Sequence, residues 1–244
     1  MRGLDYPVVG ESLKRVSEPD ECYTFWERYC KGFTTPHRDL VAGDVTEKTR
    51  KQVREVMSQI ITEKRNRLLL KITGWPRIGF LSEIFEDARF IHLLRDGRAV
   101  ANSMINMDFW WSWRGTKNWI LWSRWAELSP TQKAEWDKHG QSFIVLAAIQ
   151  WKILMDAVEN AKSSIDGDRF LEVRYEDLCS DPVDHFKYIT EFCELKWTKD
   201  FEGELRKYQL RNTNDKYKRE LTAEQQVALE EVLEGYLRRY DYVL

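Results

Sequence analysis

Cysteine is scarce: Cys22, Cys30, Cys179 and Cys193 are the only four in 244 residues, and no two form a C-x-x-C pair. They fall in helix-like or strand-flanking segments, so reduced, buried thiols are the expectation rather than a disulfide framework. A dominant charge is lacking too. Thirty-eight Lys and Arg stand against 40 Asp and Glu, a net charge of −2, which argues against a broad nucleic-acid footprint and makes any anion site local. No apolar run approaches the roughly 20 residues a membrane span needs. The first residues, MRGLDYPVVGES, contain no apolar signal-peptide core. With Met1 as the start, these absences predict a cytoplasmic protein. His37, His92 and His139 have a spacing that fits no metal site. There is no internal repeat and no low-complexity tract.

What is present suits one α/β domain over residues 1–244: 43% hydrophobic and 32% charged residues, with length enough for a sizeable core. A helix is expected from Ser17 to about Lys31, with Phe25, Trp26 and Tyr29 on an aromatic face. A second, over Thr46 to Arg65, places Val53, Val56, Met57, Ile60 and Ile61 on one stripe. Leu68–Ile72 reads as a parallel strand covered on both faces, and Arg77–Phe85 as a short helix. Between Phe109 and Trp125 the composition changes: Trp110, Trp111, Trp113, Trp119, Trp122 and Trp125 are six of the eleven tryptophans. This marks a Trp-rich insertion over about 107–140, read as a partly exposed lid on the acceptor side. Further helices are expected over Ser129–Gly140, Ser142–Ser163, Asp181–Phe192, Glu202–Tyr208 and Thr222–Arg239, the last with Thr222 as N-cap, and a strand over Phe170–Arg174. Leu210–Arg219 reads as a polar, basic loop. Strand alternating with helix predicts a parallel sheet with right-handed crossovers.

The chain is organised around Arg89–Asn106, RFIHLLRDGRAVANSMIN. An apolar run of strand length, Phe90–Leu94, meets a charged turn, Arg95-Asp96-Gly97-Arg98, and then helix formers at helical spacing. A helix start at the end of a strand offers N–H groups and a positive dipole to an anion. Arg95 adds a forked donor suited to phosphate. Ser103, eight residues on, lies about two helical turns further, where its hydroxyl can face the same ligand. The residues alone also allow Arg95 simply to pair with Asp96.

This stretch resembles the 3′-phosphate-binding segment of sulfotransferases that use 3′-phosphoadenosine-5′-phosphosulfate (PAPS), and RDGRAVANSMI is most similar to the tyrosylprotein, Golgi-type branch. The similarity runs from about Leu68 to the C-terminus. It implies a P-loop NTPase-like three-layer fold with a parallel sheet, and Arg95 and Ser103 as ligands of the nucleotide. Val173–Leu178 resembles the family's strand-plus-YEDL segment, which maps a nucleotide contact onto Tyr175. Asn212–Lys218 resembles the late loop that closes over the nucleotide, and points to Lys218. Lys71, at a strand end, matches a lysine of that branch that contacts the sulfuryl or leaving oxygen. Gly10-Glu11-Ser12 resembles the segment that carries the branch's general base, which would be Glu11.

One family part is missing. Nothing before Arg89 fits the strand and glycine-rich loop that hold the 5′-phosphosulfate. Thr73–Phe80 is the nearest approach, but Ile78 and Phe80 stand where hydroxyl residues belong, and the segment lies too close to Arg95. The expectation is therefore a chain lacking the fold's first, central strand. The function implied is PAPS-dependent sulfuryl transfer, without a metal, to a hydroxyl or amine of a small-molecule, glycan or peptide acceptor. A non-catalytic or truncated sulfotransferase-like nucleotide-binding module is the alternative. A P-loop small-molecule kinase is disfavoured by the RDGRA and YEDL segments.

Overall fold

The structure, a computed structural model, describes residues 22–34, 38–64, 66–106 and 128–243. The chain divides into two compact units, Met1–Glu86 and Asp87–Leu244.

The first unit carries α1 (Tyr23–Tyr29), α2 (Glu47–Ser58) and α3 (Ile78–Ile84). The aromatic face of α1 is real: Trp26 is buried and stacks on Phe33, with centroids 4.8 Å apart and rings 12° from parallel. α2 starts where expected, with the Thr46 hydroxyl accepting the Thr49 N–H, and buries Val53 and Met57. It ends at Ser58, well short of Arg65. The Ser58 hydroxyl turns back to the Glu55 carbonyl, and Ile60-Ile61-Thr62 is a β-branched run that resists helix. Arg50 and Arg54 of α2 donate to the Glu83 and Ile84 carbonyls at the end of α3, where cations oppose the helix dipole.

Leu68–Ile72 corrects the expectation. Among the described residues it has no strand pairing, and Leu69 is 92% exposed. An apolar run permits a buried strand but does not supply the neighbour that makes one. Past Gly74 (φ 73°), the start of α3 is built on Arg77, in the left-handed region at φ 51°. Its side chain is 4% exposed. The guanidinium lies over the Phe33 ring at 4.2 Å and donates to the Phe33 and Trp75 carbonyls. The basic residue of this glycine-containing turn is thus spent inward on carbonyl oxygens.

The second unit is helix-rich α/β with a short parallel sheet. β1 (Phe90–Leu94) pairs with β2 (Phe170–Arg174), Phe90 opposite Phe170 through Leu94 opposite Arg174. Both strands have the expected bounds. On one face Leu171 and Val173 of β2 are buried with Leu178, Phe186, Ile189 and Phe192, from α7 (Tyr175–Ser180) and α8 (Pro182–Phe192). Ile91 and Leu93 point the same way by register but stay 38% and 49% exposed. The main core includes Leu94 of β1 and is built on α6 (Phe143–Lys162), which packs against α4 (Gly97–Ile105) and α11 (Ala223–Arg239). α6 is apolar on most of its circumference because it is covered from several sides; Ile144 to Trp151 are all buried. α5 (Pro130–Lys138) and α11 both begin with a capping box, Ser129 with Gln132 and Thr222 with Gln225. α9 (Lys199–Leu205) starts three residues before the expected Glu202, because the Thr198 hydroxyl caps it. The expected loop Leu210–Arg219 ends instead in a short helix, α10 (Lys216–Glu220). Among the described residues no helix is long and apolar enough to cross a membrane. None of the four cysteines is in a disulfide; Cys30 is buried, its thiol pushed up to about 12 by desolvation, whereas Cys22 is exposed.

Candidate active site

The turn between β1 and α4 sorts its two arginines. Asp96 caps α4, its carboxylate accepting the Arg98 N–H at 2.8 Å. The same carboxylate takes the Arg98 guanidinium, with Nη2 at 2.8 Å, and both side chains are over nine-tenths buried. Arg98 also donates to the Val243 carbonyl. The start of α4 is therefore closed by its own Asp96, and it is Arg98, not Arg95, that neutralises Asp96. Gly97 has a reason of its own. A Cβ there would stand 2.7 Å from Cε3 of Trp151 on α6, so the helix approaches its neighbour as closely as it does only because that atom is missing.

Arg95 is left with neutral company. Its Nε donates to Asn214 Oδ1 at 2.9 Å and its Nη2 to Thr213 Oγ1 at 3.0 Å. The Tyr175 ring lies against the guanidinium, 4.5 Å from Cζ to centroid, a favourable cation–π contact. Among the described residues no carboxylate pairs with Arg95. Two of its five N–H groups are committed to Asn214 and Thr213, and the rest have no partner among the described residues. A half-buried permanent cation with only neutral partners among the described residues can take an anion, because an anion recovers the Coulomb energy that neutral partners do not supply.

The groups around Arg95 come from the YEDL segment and the late loop. Tyr175 opens α7 directly after β2, and its hydroxyl donates to the Arg211 carbonyl at 2.7 Å. The loop then turns on Asn212, whose side-chain oxygen accepts the Asn214 N–H, a self-made Asx turn. That turn presents Thr213 and Asn214 to Arg95. The structure thus brings together Arg95, Tyr175 and the loop 211–215. Thr213 and Asn214 were not singled out from sequence; the Asn-x-Asn spacing of the turn was the signal that could have found them.

The other expected site residues sit as follows. Ser103 is on α4, exposed among buried neighbours Ala101 and Asn102. Lys218 is on α10, exposed and paired with Asp215 at 2.8 Å, which raises its pKa. Lys71 is exposed and belongs to the first unit; Leu68–Ile72, the strand expected to carry it, has no strand partner among the described residues. Glu11 and the Trp-rich cluster Trp110–Trp125 lie outside the described residues. No group of three or more metal-ligating side chains occurs among the described residues.

A sequence profile described as the sulfotransferase family matches residues 34–199, a span that takes in Leu68–Ile72, the turn at Arg95 and Tyr175. The chain belongs to the sulfotransferase family. Similar relatives are the omega-hydroxy-beta-dihydromenaquinone-9 sulfotransferases Stf3 of Mycobacterium bovis and Mycobacterium tuberculosis, each 26% identical over 194 residues, covering 76% of this chain and 44% of the relative. The chain spans less than half the length of these curated relatives. No solved structure matches it significantly. The helix-rich α/β architecture is compatible with the P-loop-like fold expected for the sulfotransferase family.

Proposed function

We propose that the chain binds PAPS and takes part in transferring its sulfuryl group to a hydroxyl acceptor. The observation that carries this reading is Arg95, a half-buried guanidinium held by Asn214, Thr213 and Tyr175 with no carboxylate paired to it among the described residues. In the proposal Arg95 and Ser103 receive the 3′-phosphate. Tyr175 lines the nucleotide, and Lys218 closes over it from the late loop, exchanging Asp215 for the cofactor. Lys71 steadies the sulfuryl or bridging oxygen. Glu11 takes the acceptor's proton as the new O–S bond forms and the S–O bond to the 5′-phosphate breaks. Positioning and charge stabilisation carry most of such a transfer. A hydroxyl is favoured over an amine because the mycobacterial relatives are named for an omega-hydroxy acceptor.

Binding and chemistry are tested separately. The desulfated product, 3′-phosphoadenosine 5′-phosphate (PAP), should raise the melting temperature, ATP should not, and Arg95→Ala should abolish the shift. An undiminished shift in Arg95→Ala removes Arg95 from the site. Glu11→Gln should retain the PAP shift and lose about 10²–10⁴-fold in turnover, the usual range for a general base. Near-normal turnover returns Glu11 to a structural role.

A further inference from the structure

We infer that Glu176 is a positioning residue: its carboxylate holds the loop 212–215 in the conformation that aims Arg95 at the nucleotide. The inference rests on the PAPS reading and extends it to a residue that, among the described residues, has no hydrogen bond or ion pair with Arg95 itself.

Glu176 follows Tyr175 in the first turn of α7. Its Oε1 accepts the Asp96 backbone N–H at 3.2 Å and the Asn214 side-chain amide. Its Oε2 accepts the Tyr242 hydroxyl at 3.1 Å. The three donors come from the turn after β1, the late loop and the C-terminal tail, segments far apart in sequence. One carboxylate thus ties the two segments that make the anion site to a third that closes on them.

The arrangement fixes more than distance. Asn214 has two ends, an oxygen that accepts and a nitrogen that donates. A carboxylate accepts only, so Glu176 demands the nitrogen, and the oxygen is thereby turned to Arg95 Nε. Asn214 in turn fixes the direction of the guanidinium over Tyr175. Without Glu176 the amide is free to rotate and its NH₂ then faces the guanidinium, donor against donor.

Electrostatics gives the inference a sign that separates it from a bystander role. A carboxylate near a phosphate site repels the ligand, so removing a Glu176 that does nothing else tightens nucleotide binding. Removing a Glu176 that positions the loop weakens it. The bond network therefore predicts the opposite of simple charge counting.

The experiment uses the full chain with PAP as probe. Glu176→Ala should weaken PAP binding by about tenfold or more, the scale of losing a hydrogen bond to a charged group. Glu176→Gln keeps an acceptor for Asn214 and loses the repelling charge, so it should bind PAP at least as well as Glu176→Ala and close to wild type. Asn214→Ala should reproduce the loss, and adding Glu176→Ala to it should cost little more, because both act through one chain of bonds. In an activity assay the loss should appear in KM for PAPS with kcat and the acceptor KM nearly unchanged. Tighter PAP binding in Glu176→Ala, or additive losses in the double variant, overturns the inference. A second measurement needs no nucleotide: in ligand-free Glu176→Ala the amides of residues 212–215 should exchange hydrogen faster than in wild type, while those of α6 do not. Unchanged exchange in that loop overturns the clamp even if PAP binds. If wild type fails to bind PAP but the loop loosens as expected, the nucleotide reading falls and the clamp stands as a structural device. Should Glu176→Ala not fold, Asn214→Ala in the late loop carries both measurements, with weakened binding and faster exchange expected and no change in either overturning the inference.

Discussion

Asp96 and Arg98 show how far a residue's role can be read from its letter. The motif R-D-G-R offers two arginines to one aspartate, and sequence alone allows either pairing. The structure decides the pairing: Arg98 is the buried partner of Asp96, and Arg95, at the strand end, bonds to Asn214 and Thr213 instead. Arg95 and Tyr175 were singled out because their motif is specific, and the structure lays the Tyr175 ring against the Arg95 guanidinium. Glu176 was not, since its meaning lies in three donors that only the fold assembles. Gly97 was legible as a turn residue but for an incomplete reason. Its φ is not positive, and what requires glycine is the Trp151 ring. Ala has the higher helix propensity, worth up to about 1 kcal/mol, but overpacking typically costs about 1–3 kcal/mol. Because a backbone and a buried indole meet there with nothing flexible between them, the clash wins. Gly97→Ala should lower stability by about 1–3 kcal/mol in a denaturant melt, and Trp151→Leu in the same chain should recover part of the loss. Equal losses with and without the indole would show that the contact is not the cause.

Elements were most legible where local chemistry closes on itself. Phe90–Leu94, Phe170–Arg174 and Pro182–Phe192 have the expected bounds, because an apolar run, a charged turn and an Asp-Pro start each carry their own signal. Legibility failed where an element depends on a partner. Leu68–Ile72 has a strand's composition and no strand beside it among the described residues; α2 loses its last turns to a β-branched run that the apolar stripe concealed. α4 depends on its start. Asp96 caps it and neutralises Arg98, which is 7% exposed. Losing the cap costs about 1 kcal/mol, and leaving a buried charge without its partner about 3–5 kcal/mol. The second effect dominates, because Glu230, the other carboxylate near Arg98, stands 3.8 Å away and is 44% exposed. Asp96→Ala should therefore destabilise the protein by more than cap loss alone, while Asp96→Asn, which keeps an acceptor for the Arg98 N–H, should fall between it and wild type. Urea melts of the three proteins read this directly. An Asp96→Ala loss no larger than that of an ordinary cap would mean that Arg98 finds another counter-charge.

At the scale of the whole molecule, the family and the α/β class were legible, and the two compact units were not. Composition does not change at Glu86, and the apolar run Leu68–Ile72 reads as part of one continuous sheet with Phe90–Leu94. Also invisible in sequence is how the end of the chain returns to the candidate site. Terminal residues usually fray and tolerate removal, but here Tyr242 is 8% exposed. Its ring lies 4.4 Å from the Arg174 guanidinium, its N–H donates to the Leu237 carbonyl, and its hydroxyl reaches Glu176. The Tyr242 hydroxyl is held protonated, its pKa raised by burial and then by the Glu176 carboxylate. One residue further, the Val243 carbonyl accepts from Arg98. Deleting residues 242–244 removes a buried aromatic, worth about 3–5 kcal/mol when truncated, and strips partners from Arg98, Arg174 and Glu176 at once. The deletion should lower the melting temperature and weaken PAP binding together, because Glu176 then holds the late loop with one donor fewer. Tyr242→Phe separates the two effects. It keeps the ring on Arg174 and loses only the hydroxyl, so its melting temperature should stay near that of wild type while PAP binding falls by a smaller factor. Loss of stability with binding unchanged in both proteins would leave the tail as packing alone; a deletion that changes neither would show that the tail does not close on the site in solution.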